Sequence, residues 1–297
     1  MISIPQAFAT ATITRAGDVG REWIDALPGM IEELCRRWNV TVDGPVMHGY
    51  LGLVIPVRRA EERYVLKVSW IDESSADEAL ALSVWNGEGT VRLYASQPIP
   101  GAMLLEQLDY LHSLNDVEIA EAVKVAGHLL RRLAIPAPSG FRSLKAVSQD
   151  LCRSLPQRWK QYGRPLPQRW MEQACELSVQ FGASTENLLV NYDLHYADVL
   201  SGKRELWLAV DPKVVVGDPE FGIAQLLWCR LEDIESRGGL DYHFRMLIEA
   251  AALDPVRTRG WTLVRCVDYW LWGVSVGLTH DPVRCEAILN WLTGSKK

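Results

Sequence analysis

The sequence predicts an α+β protein with two lobes, a β-rich lobe over residues 1–108 and a mostly helical lobe over residues 109–297. Strand-like apolar runs separated by turns dominate the first lobe, whereas the second has mainly helical spacing of its apolar residues. Within the second lobe, two short apolar runs at 190–200 and 207–213 flank a Ser-Gly-Lys turn and end near carboxylates. This pattern predicts an acidic hairpin.

Composition places the chain among ordinary globular proteins. Of its 297 residues, 48% are hydrophobic and 23% are charged, which suits one or two domains with a sizeable core. A net charge of −6 argues against nonspecific nucleic-acid binding, which needs a basic face. Because the sequence has no signal-peptide pattern, no apolar run long enough to span a membrane and no Cys-x-x-Cys pair, we expect a cytoplasmic protein with free thiols and without membrane or nucleic-acid partners.

The first lobe is predicted as follows. Residues 1–18 have little periodicity and are expected to form a loosely held lead-in, and a helix over residues 21–38 follows, with Pro28 as a candidate break. A helix over 74–85, capped by Ser74 or Ser75, is expected between the second and third of four strands. These strands are predicted at 50–57, 63–70, 91–95 and 103–108.

The second lobe is expected to be helical around its hairpin. A cleft between the lobes is then the natural ligand site. Helices are predicted at 117–133, 144–160, 167–181, 220–231, 240–253, 256–278 and 281–292.

Five charged residues suggest the chemistry. Lys67 lies inside an apolar strand, where it needs a partner, and Glu78 on the next helix is the expected one. The hairpin brings together Asp193, Asp198 and Asp211, whose mutual repulsion a divalent cation would offset. Mg²⁺ prefers such oxygen ligands. A phosphate-gripping Lys, magnesium ligands and an acid that receives the acceptor proton are what phosphoryl transfer requires.

Two stretches also carry a family resemblance. Residues 191–200 read NYDLHYADVL and residues 207–219 read WLAVDPKVVVGDP. They resemble the paired motif of the aminoglycoside phosphotransferase family, and most closely its streptomycin kinase and hydroxyurea phosphotransferase branch, which has a protein-kinase-like fold. This branch typically shows His-Gly-Asp-Leu-His-x-x-Asn-Val-Leu and Trp-Leu-x-Ile-Asp-Pro-Lys-x-x-x-Gly-Asp-Pro.

The resemblance implies ATP and Mg²⁺ as cofactors and a hydroxyl of a small cationic antibiotic such as streptomycin as acceptor. It implies that Asp193 is the catalytic residue, that Asp198 and Asp211 hold the metal, and that Lys67 grips the ATP phosphates with Glu78 behind it. It further implies nucleotide contacts from four residues: Gly49 and Gly52 in a glycine-containing loop, and Glu106 and Gln107 in a hinge that binds adenine through backbone groups.

The sequence departs from the branch pattern at two places and leaves alternatives open. Asn191-Tyr192 replaces His-Gly, so a bulky ring stands where Gly allows close packing, and Asp198 replaces Asn. These departures motivate a second hypothesis, a kinase-fold pseudoenzyme or nucleotide-binding module without turnover. A third hypothesis is a kinase of a small metabolite.

Several neighbouring residues have two interpretations each. His195 is expected to be a structural hydrogen-bonding residue rather than a base, and Lys213 either contacts phosphate or is solvated. The late Trp residues are expected in the core, with one or two lining the acceptor pocket. Residues 211–255 contain 9 acids and 4 bases, which form either an acidic wall for a polycationic substrate or a solvated face.

Overall fold

The computed structural model of the chain describes residues 2–72, 75–98 and 101–294. Two compact units are present. The N-terminal unit comprises Met1–Asp109 together with Gly202–Arg204, and the C-terminal unit comprises Tyr110–Ser201 and Glu205–Lys297. The first is rich in strands and the second in helices, as the α+β prediction requires.

The N-terminal unit is built on one antiparallel sheet and two helices. The sheet order is β1-β3-β4-β6-β5, with β2 paired to β3. The elements are α1 Gln6–Arg37, β1 Thr41–Val42, β2 Met47–His48, β3 Gly52–Arg59, β4 Glu62–Ser69, α2 Glu78–Trp85, β5 Leu93–Gln97 and β6 Ala102–Glu106.

The core of this unit lies between α1 and one face of the sheet. Leu53 and Ile55 of β3 and Leu66 of β4 are fully buried in the same apolar cluster as Leu27 and Ile31 of α1. Side chains alternate between the faces of a strand. Lys67, the neighbour of Leu66, therefore points to the face opposite α1.

The N-terminal residues correct one prediction. Residues 6–16 are helical and packed, with Phe8 only 1% exposed, so the expected loose lead-in is wrong. Gly17 bends α1 sharply, with φ 61° and ψ −137°, a conformation that only Gly adopts readily. Pro28 lies inside α1 and does not end it. The predicted helix at 74–85 begins instead at Glu78, and Ser74 lies outside the described residues.

The C-terminal unit packs its helices around two small sheets, ordered β11-β10-β7 and β12-β9-β8. The predicted single helix at 220–231 is a 3-10 turn, Pro219–Gly222, followed by two short helices. The strands are β7 Asp109–Ser113, β8 Ile135–Pro136, β9 Leu188–Asn191, β10 Val199–Ser201, β11 Trp207–Ala209 and β12 Val214–Gly217. The helices are α3 Ile119–Leu133, α4 Leu144–Gln161, α5 Gln168–Gly182, α6 Ala224–Trp228, α7 Leu231–Ser236, α8 Gly239–Ala251, α9 Pro255–Ser275 and α10 His280–Thr293.

The predicted acidic hairpin is present in a shorter form. β10 pairs antiparallel with β11, and Val199 lies opposite Ala209. Val190, however, belongs to β9 and pairs with Val215 of β12 in the other sheet. The chain between β9 and β10 therefore links the two sheets, and it carries Asp193 and Asp198.

Two global properties complete the description. Over the described ranges, the structure has no helix that is both long enough and apolar enough to span a membrane. All six cysteines lie within these ranges and are free thiols.

Candidate active site

A buried ion pair joins β4 to α2. Lys67 is 8% exposed and Glu78, the first residue of α2, is 3% exposed. The ammonium Nζ lies 2.7 Å and 2.8 Å from the two carboxylate oxygens of Glu78. The predicted partnership is therefore present, and it fixes the Lys67 side chain on its face of the sheet.

The glycine-containing loop connects β2 to β3. The N–H of Gly49 donates to the carbonyl of Gly52 at 2.9 Å and closes the turn. A Cβ on Gly52 would lie 2.6 Å from Oγ of Ser69 and 3.0 Å from the carbonyl oxygen of Val68, so the neighbouring strand requires Gly there. A Cβ on Gly49 would meet nothing within 4 Å, so no such requirement holds at that position.

The side chain of Glu106 has a structural task. Its carboxylate accepts the backbone N–H of Arg92 at 3.1 Å and a guanidinium N–H of Arg204 at 3.0 Å. Gln107 follows β6 in irregular structure and is partly buried. Any contact of Glu106 with a nucleotide is thus left to its backbone, as the resemblance implies.

The segment before Asp193 shows how the replacement of His-Gly by Asn191-Tyr192 is accommodated. Asn191 is 2% exposed, and its side-chain oxygen accepts the N–H of Asp193 at 3.1 Å. The ring of Tyr192 packs against Phe221 at 5.8 Å between centroids and beneath the guanidinium of Arg265 at 5.2 Å. Asn191 therefore fixes the backbone of Asp193, while the bulk of Tyr192 is absorbed by packing.

The carboxylate of Asp193 is paired with Lys213. Nζ of Lys213 hydrogen-bonds to Oδ2 of Asp193. Burial favours the neutral amine, but the charges of Asp193 and Asp211 outweigh it and raise the pKa of Lys213. Lys213 is therefore a charged partner of the acidic segment, so the interpretation of a solvated Lys is wrong.

A second pair joins His195 and Asp198, which lie three residues apart in the chain. Nε2 of His195 is 2.8 Å from Oδ2 of Asp198. Burial would lower the pKa of His195, but the hydrogen bond and the charge of Asp198 raise it overall. Burial raises the pKa of Asp198, opposed by His195 and reinforced by the charges of Asp211 and Asp193. The three predicted acids therefore share one electrostatic neighbourhood.

The carboxylates of Asp198 and Asp211 suit a magnesium ion whose remaining ligands are phosphate and water. In the described part of the chain, no three or more His, Cys, Asp or Glu side chains converge on a metal position. Asp211 is exposed at φ 48° after β11, and Asp198 is partly buried. Mg²⁺ at nucleotide sites commonly takes one or two carboxylates and completes its shell with phosphate and water, and these two residues fit that requirement.

Asp218 holds this region together, although the sequence suggested no role for it. Its fully buried carboxylate accepts the N–H of Glu186 at 3.0 Å, Nε of Arg257 at 3.0 Å and the indole N–H of Trp261 at 2.8 Å. The network ties the loop before β9 to α9. In the sequence, Asp218 appeared in the Gly-Asp-Pro motif and among the nine acids of residues 211–255, and its partners are distant in sequence.

Arg265 is a second residue that sequence reasoning missed. It is 7% exposed, and its guanidinium donates to the carbonyl of Tyr192 at 3.1 Å. The guanidinium also lies 5.0 Å from the ring of Phe221 and 5.9 Å from that of Trp228. Since it sits mid-helix in α9, no local pattern marked it.

A stack of three aromatic rings lies on the C-terminal unit. Tyr269 stacks on Trp228, with centroids 4.5 Å apart and planes 8° apart, and on Trp272 at 5.2 Å. Its hydroxyl donates to Asp281 at 3.0 Å. Burial and then the charge of Asp281 raise the pKa of Tyr269, so the hydroxyl stays a donor at neutral pH.

Cys229 relates this stack to Asp193. It follows Trp228 in the chain. Burial first, and then the negative charges of Asp193 and Asp281, raise the pKa of its thiol. Cys229 therefore lies within electrostatic reach of both Asp193 and Asp281.

The acids of residues 211–255 do not form one wall. Asp218 is buried, Asp254 caps α9 and Glu220 accepts the N–H of Asp254. On the surface, Glu232 pairs with Arg284, and Asp233 pairs with Arg230. Internal partners use much of the negative charge that the sequence count suggested.

The comparisons with known proteins identify the family of the chain. Residues 37–277 match the family model described as aminoglycoside/hydroxyurea antibiotic resistance kinase. A hydroxyurea phosphotransferase of Kitasatospora aureofaciens is 36% identical, over 99% of this chain and 87% of that protein. A streptomycin 6-kinase of Streptomyces glaucescens is 34% identical, over 93% of this chain and 92% of that protein.

A solved structure agrees in fold. A thermostable mutant of aminoglycoside phosphotransferase APH(4)-Ia, in a ternary complex with ADP and hygromycin B, aligns with a TM-score of 0.62 and 16% identity. The alignment covers 90% of this chain and 99% of that chain. These comparisons confirm the predicted family resemblance and the protein-kinase-like α+β fold.

Proposed function

The chain belongs to the aminoglycoside/hydroxyurea antibiotic resistance kinase family and is a small-molecule kinase, and from this premise we propose that it transfers the γ-phosphoryl group of ATP to a hydroxyl of a small cationic antibiotic such as streptomycin. The observation that carries the proposal is the constraint on Asp193. Asn191 fixes its backbone and Lys213 fixes one carboxylate oxygen, with Asp198 and Asp211 nearby.

In the proposed reaction, Oδ1 of Asp193 receives the hydrogen of the acceptor hydroxyl. The hydroxyl oxygen forms a bond to the γ-phosphorus, the bond from that phosphorus to the β-phosphate oxygen breaks, and ADP leaves. Lys213 holds Oδ2 and so presents the other oxygen in one orientation. Positioning of this kind is the main contribution that a protein makes to phosphoryl transfer.

The nucleotide side of the proposal uses the N-terminal unit. Lys67 would contact ATP phosphate oxygens, with Glu78 holding its side chain in place. The backbone of Gly49 and Gly52 would cover the phosphates, and the backbone around Glu106 and Gln107 would bind adenine.

The metal side of the proposal uses the C-terminal unit. Asp198 and Asp211 would hold Mg²⁺, which when bound neutralises phosphate charge. Asp198 also keeps its hydrogen bond to His195, which orients the carboxylate.

The aromatic stack favours a cationic acceptor. Trp272 is 37% exposed and stacks on Tyr269, whose hydroxyl donates to Asp281, while Trp228 is buried beneath Tyr269. Exposed aromatic faces attract guanidinium and ammonium groups. The relative acting on hydroxyurea, matched over 99% of this chain, supports a second candidate acceptor that is small and uncharged. The two acceptors differ in charge, so a direct assay separates them.

The test is ADP release with ATP and Mg²⁺ in the presence of streptomycin, hydroxyurea or no acceptor. We expect release that depends on streptomycin, and a streptomycin product heavier by one phosphoryl group in mass spectrometry. Asp193→Asn should lower kcat by about 10²- to 10⁴-fold, the usual contribution of a positioned acid or base, while ATP binding persists.

Asp150→Asn is the matched control. Asp150 lies in α4 with its side chain 44% exposed. The Asp150→Asn variant should therefore have the same kcat as the wild type. Near wild-type turnover by Asp193→Asn would refute the assigned role. ATP binding without ADP release for any acceptor would favour the nucleotide-binding module.

A further inference from the structure

The N-terminal segment, residues 6–16 of α1, lies over the glycine-containing loop. The ring of Phe8 is 5.5 Å from that of His48, immediately before Gly49. Nη1 of Arg15 donates to the carbonyl of Tyr50 at 3.2 Å, and its guanidinium carbon lies 4.9 Å from the centre of the Tyr50 ring. The loop is therefore held from a part of the chain 35 residues away.

Two glycines allow the segment to reach the loop. Gly17, at φ 61° and ψ −137°, turns the segment back on the rest of α1. A Cβ on Gly20 would lie 2.8 Å from the carbonyl oxygen of Thr12, so the two halves of α1 pack backbone against backbone there. This fold-back sets the position of Arg15.

Arg15 has more donors than its position uses. Nε and Nη2 are buried and have no hydrogen-bond partner among the described residues. Buried guanidinium donors without acceptors are unfavourable, because they have lost water without replacing it. An aliphatic residue would pack under Tyr50 without this penalty, so packing alone does not account for an Arg.

Arg15 cannot act as a second Lys67. The core between α1 and the sheet contains Leu53 and Leu66, and Lys67 points to the other face. A phosphate that reaches Lys67 lies across the sheet from α1. Arg15 must therefore act through the backbone of the loop.

We propose that Arg15 is a positioning residue for the nucleotide: it pins the Tyr50 carbonyl and pre-organises the turn from Gly49 to Gly52 for ATP. The inference rests on the proposed function and adds to it a residue that sets nucleotide affinity. A loop with only two glycines, held in place before binding, loses less conformational freedom when it covers a phosphate chain.

Three variants test this role. Arg15→Met keeps the aliphatic stem but removes the donors, Arg15→Lys keeps the charge and one donating group, and Arg21→Met changes an exposed Arg of the same helix. Because a charge-assisted hydrogen bond is lost, Arg15→Met should raise the Kd and KM for ATP about tenfold. Its kcat, its KM for the acceptor and its melting temperature should stay close to wild type. Arg15→Lys should recover part of the ATP affinity, and Arg21→Met should match the wild type.

Hydrogen exchange supplies a readout that does not need turnover. Arg15→Met should speed amide exchange in residues 48–52, whereas Arg21→Met should not. Unchanged ATP affinity in Arg15→Met, or a loss matched by equal changes in acceptor KM and melting temperature, would overturn the inference. If the wild type itself binds no ATP, the proposed function fails instead, and faster loop exchange in Arg15→Met alone decides whether Arg15 holds the loop.

Discussion

Asp218→Asn tests how much a buried hydrogen-bond network stabilises the C-terminal unit. The carboxylate of Asp218 is 1% exposed and receives hydrogen bonds from Arg257, Trp261 and the N–H of Glu186. Asn has nearly the same volume, so the substitution removes charge without leaving a cavity. It also places an NH₂ group or a single weaker acceptor against the donors of Arg257.

The size of the effect follows from the burial of the two partners. Removing one partner of a buried ion pair typically costs about 3–5 kcal/mol. The Arg257 side chain is 27% exposed, so water can solvate part of its charge after the substitution. We therefore expect a loss near the lower end, about 3 kcal/mol in the free energy of unfolding.

Urea unfolding is the assay. Tryptophan fluorescence, to which Trp261 contributes as one of 12 Trp residues, follows the loss of tertiary structure, and circular dichroism follows the helices. The control is Asp150→Asn, which breaks pairs with Arg142 and Arg153 at an exposed site and should cost far less stability than Asp218→Asn.

Two results would refute the reasoning. One is an Asp218→Asn protein that unfolds within about 1 kcal/mol of wild type at an unchanged urea slope, since the pair would then be worth no more than a surface pair. The other is equal destabilisation by Asp150→Asn, which would mean that burial does not set the cost.

Two further substitutions address the N-terminal unit. Gly17→Ala should lower the free energy of unfolding by about 1–3 kcal/mol, because φ 61° with ψ −137° strains any residue with a Cβ. Urea titration measures the loss, and Gly29→Ala, at a helical position with open space, is the control. Equal stability of the two variants would contradict the prediction. Glu78→Gln should destabilise the protein, because it leaves Lys67 buried without its charged partner, and it should raise the KM for ATP. The double variant with Lys67→Met should recover stability but not activity. Recovery of both would show that the pair is only structural.

The sequence predicted a contact correctly where a single residue required a partner close to it in the chain. A Lys inside an apolar strand needs a partner, and Glu78 on the next helix was the predicted one. The strands β3 and β4 also follow from their apolar runs and the charged turn between them. The hairpin β10–β11 was predictable from its turn, but its strands of three residues carried too little pattern to reveal that Val190 belongs to another sheet.

The failures share one physical cause, which is partnering over long sequence distances. Residues 1–18 lacked a recognisable helical pattern in the sequence because the bend at Gly17 interrupts α1. The apolar residues before and after the bend therefore do not follow one continuous helical period. The burial of Phe8 depends on Trp23 and His48, and no periodicity within residues 1–18 encodes that contact.

The count of acids in residues 211–255 was a poor guide to the surface charge for the same reason. Asp218 pairs with Arg257, at a separation of 39 residues, and Glu232 pairs with Arg284, at a separation of 52 residues. A net charge summed over a window counts these residues as a surface field, although their partners neutralise them locally. The proposal of a cationic acceptor therefore depends on Asp281 and on the rings of Tyr269 and Trp272, which lie outside that window, rather than on the number of acids within it.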